Sequence, residues 1–123
     1  MAKRIPFATW TVDEVEYKLK LSTGAITKLE EKYKTNLMNL IGSDIPPLSI
    51  MLAITHAALG KYHHGIKESE VNNMFDTYLD EGGSQTAFLT DVIMPIYQAS
   101  GFFSEGMEEA MSEQLEEVRE QMA

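Results

Sequence analysis

A chain of 123 residues fits one domain, and its 44% hydrophobic and 24% charged residues are the composition of a folded one, which excludes disorder throughout. The net charge of -9, from 19 acids against 10 bases, argues against DNA, RNA or an anionic membrane as the main partner, because each calls for clustered Lys and Arg. There is no cysteine, which excludes a disulfide framework, thiolate metal sites and a Cys nucleophile.

Lys3 and Arg4 begin like a charged leader, but no apolar stretch follows, so no signal peptide is expected. No run approaches the roughly 18 apolar residues of a membrane span. The expected compartment is a cytoplasm.

Residues 7–21 read as a β-hairpin. Val15, Tyr17, Leu19 and Leu21 alternate with Glu16, Lys18 and Lys20, and upstream Ala8, Trp10 and Val12 alternate with Phe7, Thr9 and Thr11. This period of two gives each strand one apolar face. Asp13-Glu14 is the turn, without the Asn-Gly or Asp-Gly signature. A lone hairpin is marginal in water, so its apolar face is expected to pack on helices.

From Ser22 the period becomes helical. Ile26, Leu29 and Tyr33 share a face over about 23–34, with Ser22 or Thr23 as the N-cap. Thr35-Asn36 breaks the pattern, and a short apolar segment, 37–41, ends at Gly42. Pro47 suits the first turn of a helix over 47–60. Its residues are apolar on nearly every side, which places it at the centre of a fold. Lys61-Tyr62-His63-His64-Gly65 is a connection. Val71, Met74, Phe75, Tyr78 and Leu79 then mark a helix over 68–81, with Glu68 and Glu70 favourably in its first turn. Gly82-Gly83 stops it. Ser84 caps a last helix over 84–100, whose stripe is Phe88, Leu89, Val92, Ile93 and Ile96, and Pro95 is expected to kink it.

Residues 104–123 differ in kind. They hold seven glutamates and one basic residue, Arg119, so they carry -6 of the total charge. Met107, Met111, Leu115, Val118 and Met122 recur every three or four residues, a narrow apolar seam on an acidic helix. An isolated helix of that length is marginal in water, so it frays or finds a partner. The expected architecture is α+β and mostly α. A hairpin packs on four to five helices in one compact domain, 1–103, and an acidic amphipathic helix or tail, 104–123, is appended.

The search for chemistry returns little. His56, His63 and His64 fall within nine residues, and a small metal-binding protein or enzyme using that cluster is one alternative. Gly60 argues that no continuous helix unites them, and no acid lies between 45 and 67 to complete a ligand set. His56, in an apolar helix, reads better as a polar residue with a hydrogen-bond partner. The glutamate-rich end allows a second alternative, an acidic adaptor that mimics nucleic acid. There is no phosphate loop, no calcium loop and no evident catalytic triad, so no enzyme, cofactor or metal is expected. The methionines suit a surface that adapts to partners.

Several segments resemble one family in order. Residues 16–23 with 25–30, the run His56 to Ile66, the run Tyr78 to Ser84, and Ser100-Gly101-Phe102-Phe103 are similar to small tail assembly chaperones of long-tailed phages and prophages of Gram-positive bacteria. The resemblance covers 15–103. It implies a non-catalytic protein that binds the tape measure protein, keeps it soluble and promotes polymerisation of the tail tube protein around it. It implies action in the host bacterial cytoplasm and absence from the mature virion. Tyr62, His63, Phe102 and Phe103 are candidate partner contacts, together with Met107, Met111, Leu115 and Val118 on the terminal seam. That seam also allows a homo-oligomer.

Overall fold

The computed structural model describes residues 5–41 and 45–103. They form an α+β fold that is mostly helical. β1 (Ala8–Val12) and β2 (Val15–Leu19) make an antiparallel hairpin that pairs Ala8 with Leu19, Trp10 with Tyr17 and Val12 with Val15. Asp13 and Glu14 both take left-handed backbone, with φ of 51° and 65°. A two-residue turn of this hand matches the twist of the strands, which is why glycine usually occupies it. Here a tertiary contact helps to hold it instead. The Asp13 N–H donates to both carboxylate oxygens of Glu81, at 3.0 and 3.2 Å.

The hairpin's apolar face is buried unevenly. Ala8, Trp10 and Val12 of β1 are all buried, whereas on β2 only Leu19 is, and Val15 is 48% exposed. Val15 adjoins the turn, and its cross-strand partner Val12 is buried, so the cover at that end lies over β1 and not β2. The outer edge of β2 is closed by other elements. Lys18 N–H donates to His63 Nε2 at 2.9 Å, and Lys20 N–H donates to the Ala58 carbonyl at 3.1 Å.

Helix α1 (Thr23–Tyr33) starts where the Ser22 hydroxyl accepts the Ala25 N–H. It ends at Lys34, whose left-handed backbone turns the chain. Asn36 caps the single turn α2 (Leu37–Leu40). Helix α3 (Leu48–Leu59) follows Pro47 and ends at Gly60. Helix α4 (Glu68–Asp80) carries Glu68 and Glu70 in its first turn. At Gly83 a Cβ would overlap the Tyr78 ring, so only glycine lets the chain turn there undistorted.

The segment expected as one kinked helix over 84–100 has three parts. They are α5 (Gln85–Phe88), a π-helical turn (Leu89–Ile93) and α6 (Met94–Ala99). Pro95 has no N–H to return to the fourth residue before it. The helix absorbs this by widening, with Met94 N–H donating to the Leu89 carbonyl five residues back.

One buried cluster runs from Ala8 to Phe103. Its densest part is aromatic. Phe88 stands edge-on to Trp10 and to Phe75, each at 5.1 Å, and Tyr78 closes the group against Trp10 at 5.8 Å. Such pairs add about 0.5–1.5 kcal/mol each beyond area burial. Among the described residues no acceptor reaches the buried Trp10 indole N–H. The rings around it offer at most a weak π acceptor. Tyr97 is also buried and donates its hydroxyl to the Leu37 carbonyl at 2.8 Å. Burial, and then the negative charge of Glu30, push its phenol well above the usual tyrosine range.

Candidate functional site

Helix α3 was expected to be enclosed on all sides. In the structure one of its faces is open. Ser49, Leu52, Ala53, His56, Ala57 and Gly60 fall at spacings of three and four along it, and these residues lie on a single helical face. Leu52, Ala53, His56 and Ala57 are half-buried. They remain so because the side chains are mostly small, and α1 stands off from them rather than meshing with them.

The gap is a groove of about 560 Å³. Its far wall is α1, through Ser22, Ala25, Lys28, Leu29 and Lys32, and the connection 60–66 with Glu68 of α4 closes its end. Past Lys32, Ala53 and Glu68 it continues into a second depression of about 270 Å³, bounded by Tyr33, Ser49, Leu52 and Asn72. The trough therefore follows most of α3, whose 12 residues span roughly 18 Å. Its floor is apolar, and Lys28, Lys32 and Lys61 give its rim a positive charge that the chain as a whole lacks.

Two histidines hold the end wall. His56 Nε2 lies 2.8 Å from the Ile66 carbonyl, an acceptor only, so this nitrogen carries the proton. Its Nδ1 faces Glu68 at 3.8 Å. His63 has the opposite assignment. Its Nε2 accepts the Lys18 N–H, so that nitrogen is bare, and its ring stands edge-on to Tyr17 at 5.2 Å. The two bonds pin the connection, at Ile66 to α3 and at His63 to β2. His64 is exposed on the groove wall. Among the described residues no three His, Asp or Glu side chains are placed to hold a metal ion. The imidazoles of His56 and His63 serve the backbone instead.

The remaining candidate contacts separate. Tyr62 is 38% exposed, with its ring edge-on to Phe7, and it lies outside the groove. Phe102 is half-buried and stacks on Tyr97 at 4.6 Å. Phe103, expected as a partner contact, is instead part of the core: at 3% exposure it offers no surface to a partner. Met107, Met111, Leu115 and Val118 lie outside the described residues, as does the whole expected helix 104–123. Of the partner-contact candidates among the described residues, His63 alone lines the groove, beside His56 and His64 of the histidine cluster. Sequence reasoning missed Ala53 and Ala57, and it missed Lys28 and Lys32. The available signals were small residues on one face of α3 and two lysines four apart on α1.

Comparison with known proteins places this chain in a family. It belongs to a family of unknown function, DUF6096, whose model matches residues 5–121. The match takes in the hairpin, both walls of the groove and nearly all of the acidic end. No curated protein and no solved structure matches the chain.

Proposed function

We propose that this DUF6096 member is a tail assembly chaperone, a non-catalytic protein that holds the tape measure protein of a long-tailed phage or prophage while tail tube subunits polymerise around it. The observation that carries this reading is the position of the run His56 to Ile66, a segment on which the resemblance rests. That run forms the end and much of the floor of an open apolar groove. Such a trough suits an amphipathic helix laid lengthwise, with anchors every three or four residues. A tape measure protein is a very long, mostly helical chain whose apolar seams need cover until the tube encloses them.

The other resembling segments support the scaffold around the groove. In the run Tyr78 to Ser84, Glu81 holds the hairpin turn, Gly83 admits the Tyr78 ring and Ser84 caps α5. In Ser100 to Phe103, the Ser100 hydroxyl accepts the Leu21 N–H and Phe103 fills the core. On this reading the protein works in the bacterial host cytoplasm and leaves before the virion is complete.

The test is co-expression with the very long gene of the same tail cluster. The expected result is stoichiometric capture and solubilisation of the tape measure fragment, with no turnover of any substrate. A fragment that stays insoluble and is not captured removes the reading.

A further inference from the structure

We propose that the groove between α1 and α3 is also a docking site for the chain's own acidic end, residues 104–123, so that the free protein covers its groove with its own segment. This concerns the isolated chain and does not rest on the partner proposed above.

Where the chain leaves the core is the first argument. The Ser100 hydroxyl accepts the Leu21 N–H at 2.9 Å, and the next residue after Leu21, Ser22, forms the lip of the groove. Phe103 is buried three residues beyond Ser100. The last described stretch, 100–103, is thus tied to the residue that precedes the groove's lip, just before the acidic segment begins.

Charge is the second. The segment carries seven glutamates against Arg119 alone, and Lys28, Lys32 and Lys61 stand on the groove's rim. Among the described residues the groove's one carboxylate, Glu68, faces His56 at 3.8 Å. Attraction between exposed charges at these spacings steers and orients, and it weakens as salt shortens the screening length.

Pattern is the third. The seam of Met107, Met111, Leu115, Val118 and Met122 has the spacing of one helical face. Methionine moulds itself to shallow, irregular floors, and this floor is made of Leu52, Ala53 and Ala57 with His56 among them. Covering a trough of roughly 18 Å takes about 12 helical residues, fewer than the 20 from Ser104 to Ala123. Tethering makes the encounter intramolecular, at an effective concentration of about millimolar for a short link, so weak contacts suffice. Any partner that enters the groove has then to displace the segment first.

The absence of cysteine makes the test direct. Ser112→Cys in the full-length chain gives a single site for a nitroxide spin label. At low salt, the amide signals of Lys28, Lys32, Ala57 and Lys61 are expected to lose most of their intensity. Those of Gln85 and Thr86, beyond the far end of α4, keep theirs. The double reversal Lys28→Glu with Lys61→Glu is expected to restore the lost signals while the core amides of Ile54 and Tyr97 stay in place. Unchanged groove signals in the parent background overturn the proposal, as does equal loss at Gln85 and Thr86, or loss that survives the double reversal. In a mixture of isotope-enriched unlabelled chains with spin-labelled unenriched chains the loss should vanish. Its persistence there overturns docking within one chain and assigns the groove to a second copy.

Discussion

The two faces of α3 are built from similar residues and meet different surroundings. One face, with Met51, Ile54, Thr55, Ala58 and Leu59, is fully buried, and even its hydroxyl is satisfied, since Thr55 donates to the Met51 carbonyl at 2.8 Å. The other face, with Leu52, Ala53, His56 and Ala57, floors an open groove. On the sealed side of the molecule, large rings interlock with the hairpin, and each fills space that nothing else fills. On the open side, α1 touches α3 over small side chains and leaves a trough. This contrast means that apolarity alone does not say whether a helix face is closed. Side-chain size and the elements opposite decide that. It also separates stability from function: changes on the sealed side should unfold the protein, and changes on the open side should alter what it binds.

The largest effect is expected at Phe88, which is buried and touches Trp10, Phe75 and Tyr78. Phe88→Ala should cost about 3–5 kcal/mol, through lost transfer energy and the cavity left behind. That is a large part of the total stability of a domain this size. Urea unfolding followed by tryptophan fluorescence reads it directly, because Trp10 is the chain's one tryptophan and sits in the affected cluster. A cost under about 1 kcal/mol would mean the rings are not interlocked, and the sealed side would lose its distinction from the groove.

Tyr97 comes next. Tyr97→Phe leaves the Leu37 carbonyl without its buried donor, at a cost of about 1–3 kcal/mol. The same residue gives a pH signature. Its phenol is held above the ordinary tyrosine value, chiefly by burial. As pH rises past about 10 the unfolded chain ionises first. The contribution is therefore complete below that pH and is lost progressively above it. Tyr97→Phe should be less stable at neutral pH and should lose stability less steeply on the alkaline side. Some alkaline slope should remain, because burial, and then Asp91, also raise the Tyr78 phenol. Parallel alkaline slopes for the two proteins would show that Tyr97 is not sealed.

Much of this architecture was legible in the chain, and the failures have physical causes. The period-two runs gave the hairpin, but periodicity cannot say that Val15 is left exposed while Leu19, on the same face, is buried. Ser22, Ser84 and Gly60 punctuated helices as their chemistry suggests. Pro95 announced a disturbance, yet a missing N–H is compatible with a kink or with a widened turn, and packing chose the second. Tyr97 stands four residues after Ile93 on the expected stripe, but its acceptor is 60 residues away. The groove was the least legible feature. Its floor reads as core, because Ala53 and Ala57 are apolar whichever side they face. Its cations come from segments, around Lys28 and Lys61, that only the fold brings together.

A smaller effect is expected at the hairpin turn, and it is stabilising. Glu14 holds a left-handed backbone with φ of 65°, which disfavours a residue with a Cβ by roughly 1–2 kcal/mol. Glycine removes that strain but adds freedom to the unfolded chain. Glu14→Gly should therefore raise stability by about 0.5–1 kcal/mol, measured by denaturant midpoint. The Glu81 anchor is retained, since it accepts a backbone N–H from Asp13. Capture of the tape measure fragment should not change. A change in capture would couple the hairpin to the groove, and the two sides could no longer be treated as separate.

The smallest stability effect belongs on the groove floor, where it carries the most information about function. Ala57→Met introduces a flexible, helix-compatible side chain into the open space above α3. If the groove is open, the new side chain finds room, and stability moves by less than about 0.5 kcal/mol. The occupied floor should at the same time weaken capture of the tape measure fragment. These two readings must move independently for the contrast between the faces of α3 to hold. A loss of more than about 1 kcal/mol from overpacking would place Ala57 with Ala58 on the sealed side. Unchanged stability with unchanged capture would keep the groove open but move the partner's contact elsewhere, with exposed Tyr62 and half-buried Phe102 the next residues to substitute.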